Sequence, residues 1–287
     1  MIKKMFFAML SLGILVVSCD NDDDNQPKTA SLTLNLNGLE ALGSDYVYEG
    51  WIIVNGSPVS TGTFSSVTFP QSFQVNSNQL ENATTFVLSI EPAIDPDPAP
   101  ADTKLLVGDF SGNTASLNTS IVGDFSNASG SFFLRTPTDE TGPNNGNDQY
   151  GVWFGLPVDP PTPDFVLPTL PEGWAYEGWV VGSQGPITTG TFNAFNSMDS
   201  FDGFSQTLQS GPPVPGEDFF LNAPAGETFP LDVRGRTVVI SVEPVPDDSP
   251  APFAMKPLVG TAGQETAPTT YDFGRNLGSL PTGSVSR

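Results

Sequence analysis

The stretch ASLTLNLNGL (30–39) alternates, with Leu32, Leu34 and Leu36 on one face and Thr33, Asn35 and Asn37 on the other. A period of two is that of a half-buried strand. YVYEGWIIV (46–54) is β-branched and aromatic on both faces, as a strand covered on both sides would be. VNGSP follows, and Asn55-Gly56 supplies the positive φ angles of a hairpin turn before PVSTGTF returns. TTFVLSIEP (84–92) and TKLLVGDF (103–110) read as a further pair, split by a loop whose prolines cannot join a ladder. Helical periodicity is almost absent. Strand signals this frequent predict an all-β chain of sandwich or barrel type.

The pattern occurs twice. YEGWIIVNGSPVSTGTF (48–64) returns as YEGWVVGSQGPITTGTF (176–192), an offset of 128. VLSIEPAIDPDPAPADTKLLVG (87–108) returns as VISVEPVPDDSPAPFAMKPLVG (239–260), an offset of 152. The second copy therefore carries 24 extra residues between its blocks. That insertion contains SGPPVPGEDFFLNAPAG (210–226) and reads as a surface loop with a hydrophobic anchor. SGSFFLRTPTDE (129–140) and DQYGVWFGLP (148–157) look strand-like and read as an extra hairpin on the second copy, with VDPPTPDF (158–165) as a stiff connection. The expected architecture is two tandem β-sandwich modules, immunoglobulin-like or related, over 31–122 and 123–287.

The first nineteen residues, MIKKMFFAMLSLGILVVSC, have a basic start and an apolar run too short to be read as a spanning helix. They resemble the signal peptide and lipobox of bacterial lipoproteins. In that class a peptidase cuts before the cysteine, here Cys19, which then carries a diacylglycerol, and the new amino terminus is acylated with palmitate or a similar chain. Cys19 is the only cysteine, so no disulfide forms within the chain. Two or three acyl chains hold a protein on a bilayer far better than one. DNDDDNQPKTA (20–30) is polar and without periodicity, and reads as a disordered tether. An acidic run in that place also resembles the surface-export signals of lipoproteins in some Gram-negative groups. The expected location is the cell envelope, anchored to the outer membrane and facing the periplasm or the exterior.

The second copy, from LPTLPEGWAYEGWVV through the Val-Glu-Pro strand to the SPAP turn, resembles the extracytoplasmic domain of the anti-sigma-K factor family. The residues that carry the likeness are Leu170, Pro171, Tyr176, Trp179, Gly190, Glu243, Pro244, Ser249, Pro250, Pro252 and Leu258; the first copy matches through Tyr48, Trp51, Gly62, Glu91, Pro92, Pro98 and Pro100. The resemblance implies a sensor-type β fold. Since a cytoplasmic sigma-binding part is not seen in the sequence, no direct sigma-factor contact is expected.

Charge and side-chain chemistry narrow the function. Lys plus Arg number 10 against 32 Asp plus Glu, a formal charge of −22, which repels nucleic acid. There is no histidine, hence no Ser-His-Asp triad and no imidazole base or metal ligand. No G-x-S-x-G elbow and no phosphate-binding glycine pattern occurs. The expectation is a non-catalytic binding or sensing protein, with a structural or adhesive surface protein as the alternative and a two-carboxylate glycan hydrolase as a remote third. Glu49 and Glu177 share the aromatic strand with Trp51 and Trp179. Glu91 and Glu243 each precede by thirteen residues a lysine, Lys104 and Lys256, an arrangement that predicts a cross-strand ion pair. Trp51, Trp179, Phe219 and Phe220 are the candidate contacts for a protein or glycan partner. No cofactor or metal site is assigned. Calcium is the one ion that the clusters at Asp95 and Asp97 and at Asp247 and Asp248 would suit, although no EF-hand pattern is present.

Overall fold

A computed structural model describes residues 28–139, 145–206, 211–247 and 249–287. Cys19, residues 20–27 of the expected tether, and Asp248 lie outside them. The tether's last expected residues, Thr29 and Ala30, belong instead to the first strand, β1 (Thr29–Asn37), where they lie opposite Asn76 and Val75 of β4 (Gln71–Asn76).

The described residues are nearly all-β, in antiparallel sheets, with one short α-helix at Ser77–Glu81. In the first copy β2 (Tyr46–Val54), β3 (Ser57–Phe64), β5 (Ala83–Pro92) and β6 (Lys104–Asp109) form a sheet in the order β3-β2-β5-β6. The second copy repeats it with β11 (Trp174–Val181), β12 (Pro186–Phe192), β14 (Thr237–Pro244) and β15 (Leu258–Thr261), and adds β17 (Gly274–Arg275) at the edge. The first hairpin turns at Asn55 and Gly56 with φ of 52° and 81°, as the pattern predicts.

Both hairpins carry a β-bulge at the same place. Gly50 lies opposite Gly62 while Trp51 lies opposite Ser60; Gly178 lies opposite Gly190 while Trp179 lies opposite Thr188. Thr61 and Thr189 are the extra residues. Gly62 and Gly190 sit at φ +117° and +113°, which a β-carbon would strain. The repeated Thr-Gly-Thr-Phe (61–64 and 189–192) is thus the signature of a bulge.

The second sheet of each half holds the main surprise. Around β1 the order is β4-β1-β18-β7, with β7 (Thr114–Leu117) from the first copy but β18 (Thr282–Ser286) from the end of the second. Around the second copy, β8 (Ser129–Phe133) pairs with β10 (Phe165–Val166), β9 (Gly151–Phe154) and β16 (Thr270–Asp272), and β13 (Gly216–Asp218) extends β9. SGSFF in β8 and TGSVS in β18 are equivalent segments: each lies between its β1-like and its β7-like neighbour. The two copies therefore exchange their last strands, as partners in a domain-swapped dimer do. The boundary expected at 122/123 does not separate two self-contained units, because β18 completes the first sheet and β8 the second.

The prolines of 157–163 explain β9. The segment equivalent to the body of β1 contains Pro157, Pro160, Pro161 and Pro163, which have no N–H to give. Only β10 survives of it, along Ser129 and Gly130, and β9 takes the remaining place along Phe132 and Phe133. The inserted segment is accordingly not a surface loop. Gly216, Glu217 and Asp218 are buried in β13, and Phe219 packs against Phe204 and Phe229. One apolar core runs through both halves, from Leu32, Leu34 and Leu36 through Phe86 and Phe154 to Val285.

Candidate functional site

On β2 and β5 the residues facing away from that core are not solvent-exposed. Trp51 and Trp179 are only 3% and 2% accessible, so neither is available to stack on a ligand. Each indole N–H instead donates to a serine on the neighbouring strand, Trp51 Nε1 to Ser89 Oγ at 2.8 Å and Trp179 Nε1 to Ser241 Oγ at 2.7 Å. The Ser89 hydroxyl in turn donates a hydrogen bond to Glu91, and the Ser241 hydroxyl donates one to Glu243.

The two glutamates then bind the loop that follows them. The Ala101 N–H donates to both oxygens of Glu91, at 2.9 and 3.2 Å. The Phe253 N–H donates to both oxygens of Glu243, at 3.0 Å each. The expected ion pair of Glu91 with Lys104, and of Glu243 with Lys256, does not form. Lys104 Nζ donates to the Ala101 carbonyl at 2.8 Å and Lys256 Nζ to the Phe253 carbonyl at 2.6 Å. Glutamate and lysine grip the same peptide residue, one by its N–H and the other by its C=O. This is how each proline-rich loop is pinned across its sheet, and it makes Glu91 and Glu243 structural. Burial pushes the Glu91 carboxyl up. It pushes Glu243 up to about 8, with help from the neighbouring charges of Glu177 and Asp247.

The other phenylalanine candidates divide. Phe219 is fully buried, because the insertion folds inward. Phe220 is half-buried against Tyr150, the ring centroids 5.9 Å apart. The structure brings none of Trp51, Trp179, Phe219 and Phe220 to one exposed surface. Asp95 and Asp97 accept backbone N–H groups two residues on, at 2.8 and 3.0 Å, as local turn caps.

Between the copies lies a cleft of about 650 Å³. Its walls include the 40–46 and 101–103 segments of the first copy and, from the second, the 172–173 and 243–247 segments with Ser249. Six carboxylates line it, those of Glu40, Asp45, Asp102, Glu172, Glu243 and Asp247, with no lysine or arginine among the lining residues. Burial holds the Glu40 carboxyl above the usual range, against the lowering influence of Lys256 and of the Ala254 N–H in the second copy. A second hollow of about 570 Å³ lies beside Trp153, Met198 and Phe201. Asp199 on its wall is pushed up to about 7 by burial while accepting the Gly216 and Phe201 N–H groups at 2.7 and 3.1 Å.

The sequence reading missed one grouping. One carboxylate oxygen each from Glu177, Glu243 and Asp247 lies within 4.8 Å of the others. Glu177 comes from the aromatic strand, Glu243 from the strand paired with it, and Asp247 from the pinned loop. The signal was present in the repeat, since Glu49, Glu91 and Asp95 are the equivalent residues and each acid recurs at its copy's offset.

Residues 22–103 match the family model of the anti-sigma-K factor rskA, C-terminal. The match runs from before β1 through the Glu91-Pro92 turn to the end of the pinned loop, so it falls on the first copy and not on the second, where the likeness was expected to be fuller. The chain thus contains a domain resembling the extracytoplasmic part of an anti-sigma factor, a regulatory rather than a catalytic family. No curated protein and no solved structure matches the chain. Among the described residues no helix is long and apolar enough to cross a membrane.

Proposed function

We propose that this chain is a lipid-anchored protein of the bacterial cell envelope, held by Cys19, whose paired anti-sigma-K-like copies form one non-catalytic binding module. The ligand seat is the cleft between the copies, and the observation that carries this reading is its lining of six carboxylates, which outnumber the two lysines near them, Lys104 at 3.9 Å from Asp102 and Lys256 acting on Glu40. Such a wall selects for positive charge. It suits a lysine- or arginine-bearing segment of an envelope protein better than a neutral glycan. Trp51 and Trp179, the residues that would stack on sugars, are buried.

The burial of Glu177 and Glu243 supports the non-catalytic reading. A glycosidase needs one acid and one base or nucleophile facing the substrate. Glu243 is fully buried, with both oxygens held by the Phe253 N–H and one also by Ser241. Glu177 lies behind it and is also buried. Neither offers an accessible face to a scissile bond.

The cleft reading is tested by calorimetric titration of the full chain with a lysine-rich peptide and with a neutral peptide of equal length. The cationic peptide binds, the affinity falls as salt rises, and Glu40→Gln with Glu172→Gln weakens it about tenfold. Equal binding of both peptides, or binding indifferent to the two substitutions, removes the cleft as the seat.

A further inference from the structure

We propose that Glu177, Glu243 and Asp247 hold a calcium ion in the wall of the inter-copy cleft. The inference rests on the binding reading above, because Glu243 and Asp247 are part of the cleft lining, and it names an ion that the cleft takes.

The first observation is geometric. Two oxygens bound to one calcium at 2.3–2.6 Å can stand up to about 5 Å apart, and the three carboxylates each present an oxygen within 4.8 Å of the others. The donor set is all carboxylate, which suits a hard cation, and the chain has no histidine and no cysteine beyond Cys19 to favour a softer metal.

The second observation is independent of that spacing. Glu177 is 5% accessible. One of its oxygens accepts the Thr188 hydroxyl, while the other, Oε2, is buried with no hydrogen-bond partner. An unpaired buried carboxylate oxygen is costly and calls for a partner. The charged groups that act on Glu177 and Glu243 are Asp199, Asp247 and one another, all acidic. Lys256, the nearest basic side chain in the pinned loop, is turned to the Phe253 carbonyl. A divalent cation supplies what the protein does not. Asp247, exposed at the cleft, gives the ion a path in.

The first copy provides a control within the same chain. Its equivalent acids are Glu49, Glu91 and Asp95, but Glu49 is only half-buried, its Oε1 accepts the Ser60 hydroxyl, and neither of its oxygens is both buried and unpaired, as Glu177 Oε2 is. One ion per chain is therefore expected, bound by the second copy.

The test is calorimetric titration of CaCl₂ into the full chain, purified in detergent and stripped with EDTA, at 0.15 M salt. The expected result is one site with a dissociation constant of about 10⁻⁴–10⁻³ M, the range of extracellular calcium modules. Asp247→Asn keeps the acceptor that holds the Ser249 N–H and changes an exposed residue, so it folds; it should weaken binding at least tenfold. Glu177→Gln should abolish it, and Glu49→Gln should leave it unchanged. Absence of a heat signal up to 10 mM calcium overturns the proposal, and so does binding that survives both Asp247→Asn and Glu177→Gln. Failure here with cationic-peptide binding intact removes the ion alone, whereas loss of peptide binding removes the cleft reading.

Discussion

Leu34 lies directly opposite Val285. Both are fully buried, and they join the first described strand to the last. Val285 also lies opposite Ala115 of β7, so one residue of the second copy closes the core of the first. Val285→Asp would place an unpaired charge in that core, at a cost of more than about 3 kcal/mol. Hydrogen exchange should show lost protection in β1 and β7, more than 160 residues away in sequence. Loss confined to the second copy would contradict the exchange of strands.

Arg287 fastens the same end. Its guanidinium donates to the carbonyls of Leu80, Ala83 and Gly112 at 2.6, 2.8 and 3.0 Å and lies over the Phe110 ring at 4.3 Å. Arg287→Ala should lower stability by about 1–3 kcal/mol. Lysine, which lacks the planar fork, should rescue little of it. Urea denaturation of the three proteins checks this, and full rescue by lysine would reduce the contact to simple charge.

The strand serine that links indole to glutamate beneath each pinned loop should be worth more than its size. Ser241→Ala leaves the Trp179 indole N–H without its acceptor and Glu243 with the Phe253 N–H but without its hydroxyl donor, in a buried setting. The expected loss is about 1–3 kcal/mol, with a similar loss for Ser89→Ala. A double-mutant cycle of Ser241→Ala with Trp179→Phe should show coupling. Additive losses would mean that indole, hydroxyl and carboxylate do not act as one chain.

Acid should stabilise the protein when calcium is chelated. Glu217 and Asp218 are fully buried, and burial lifts their carboxyls from 4.5 and 3.8 to about 8 and about 7. Glu217 accepts the Ser205 hydroxyl; Asp218 accepts the Trp153 indole at 2.8 Å and the Thr138 hydroxyl at 2.6 Å. Between the ordinary and the raised values the folded chain binds more protons than the unfolded chain. The stabilisation is complete below the ordinary values and is lost as pH rises through 7 and 8. In EDTA the Tm at pH 5.5 should exceed that at pH 8 by several degrees, and Glu217→Gln should flatten the slope. A Tm that rises with pH in EDTA would mean that these carboxyls are charged in the fold.

Strand positions and the Asn55-Gly56 hairpin turn were legible because they rest on local rules, alternation and an Asn-Gly turn, whereas the duplicated bulge lay unread in the repeated Thr-Gly-Thr-Phe. The exchange of β8 and β18 was not legible. SGSFF and TGSVS share little beyond a Gly-Ser pair, and their choice of neighbour is decided by packing across the whole chain. The burial of Trp51 and Trp179 was hidden for a related reason, since strand pattern does not reveal the loop that covers the outer face. The thirteen-residue spacing of glutamate and lysine rightly signalled a contact. It named the wrong one, because the intervening loop folds back and offers a peptide group between the two charges. Phe219 read as an exposed anchor because the insertion is rich in glycine and proline. Those residues instead lead the chain into β13.

The central claim is a binding module held on the envelope by lipid, and acyl labelling with protease treatment tests it most directly. Cells making the wild-type chain or Cys19→Ala are grown with labelled palmitate, separated into soluble and membrane fractions, and treated with protease before and after outer-membrane permeabilisation. The account predicts label on the wild-type chain in the membrane fraction, none on Cys19→Ala, and digestion in intact or in permeabilised cells. An unlabelled chain in the cytosolic fraction, protected from protease throughout, would contradict it.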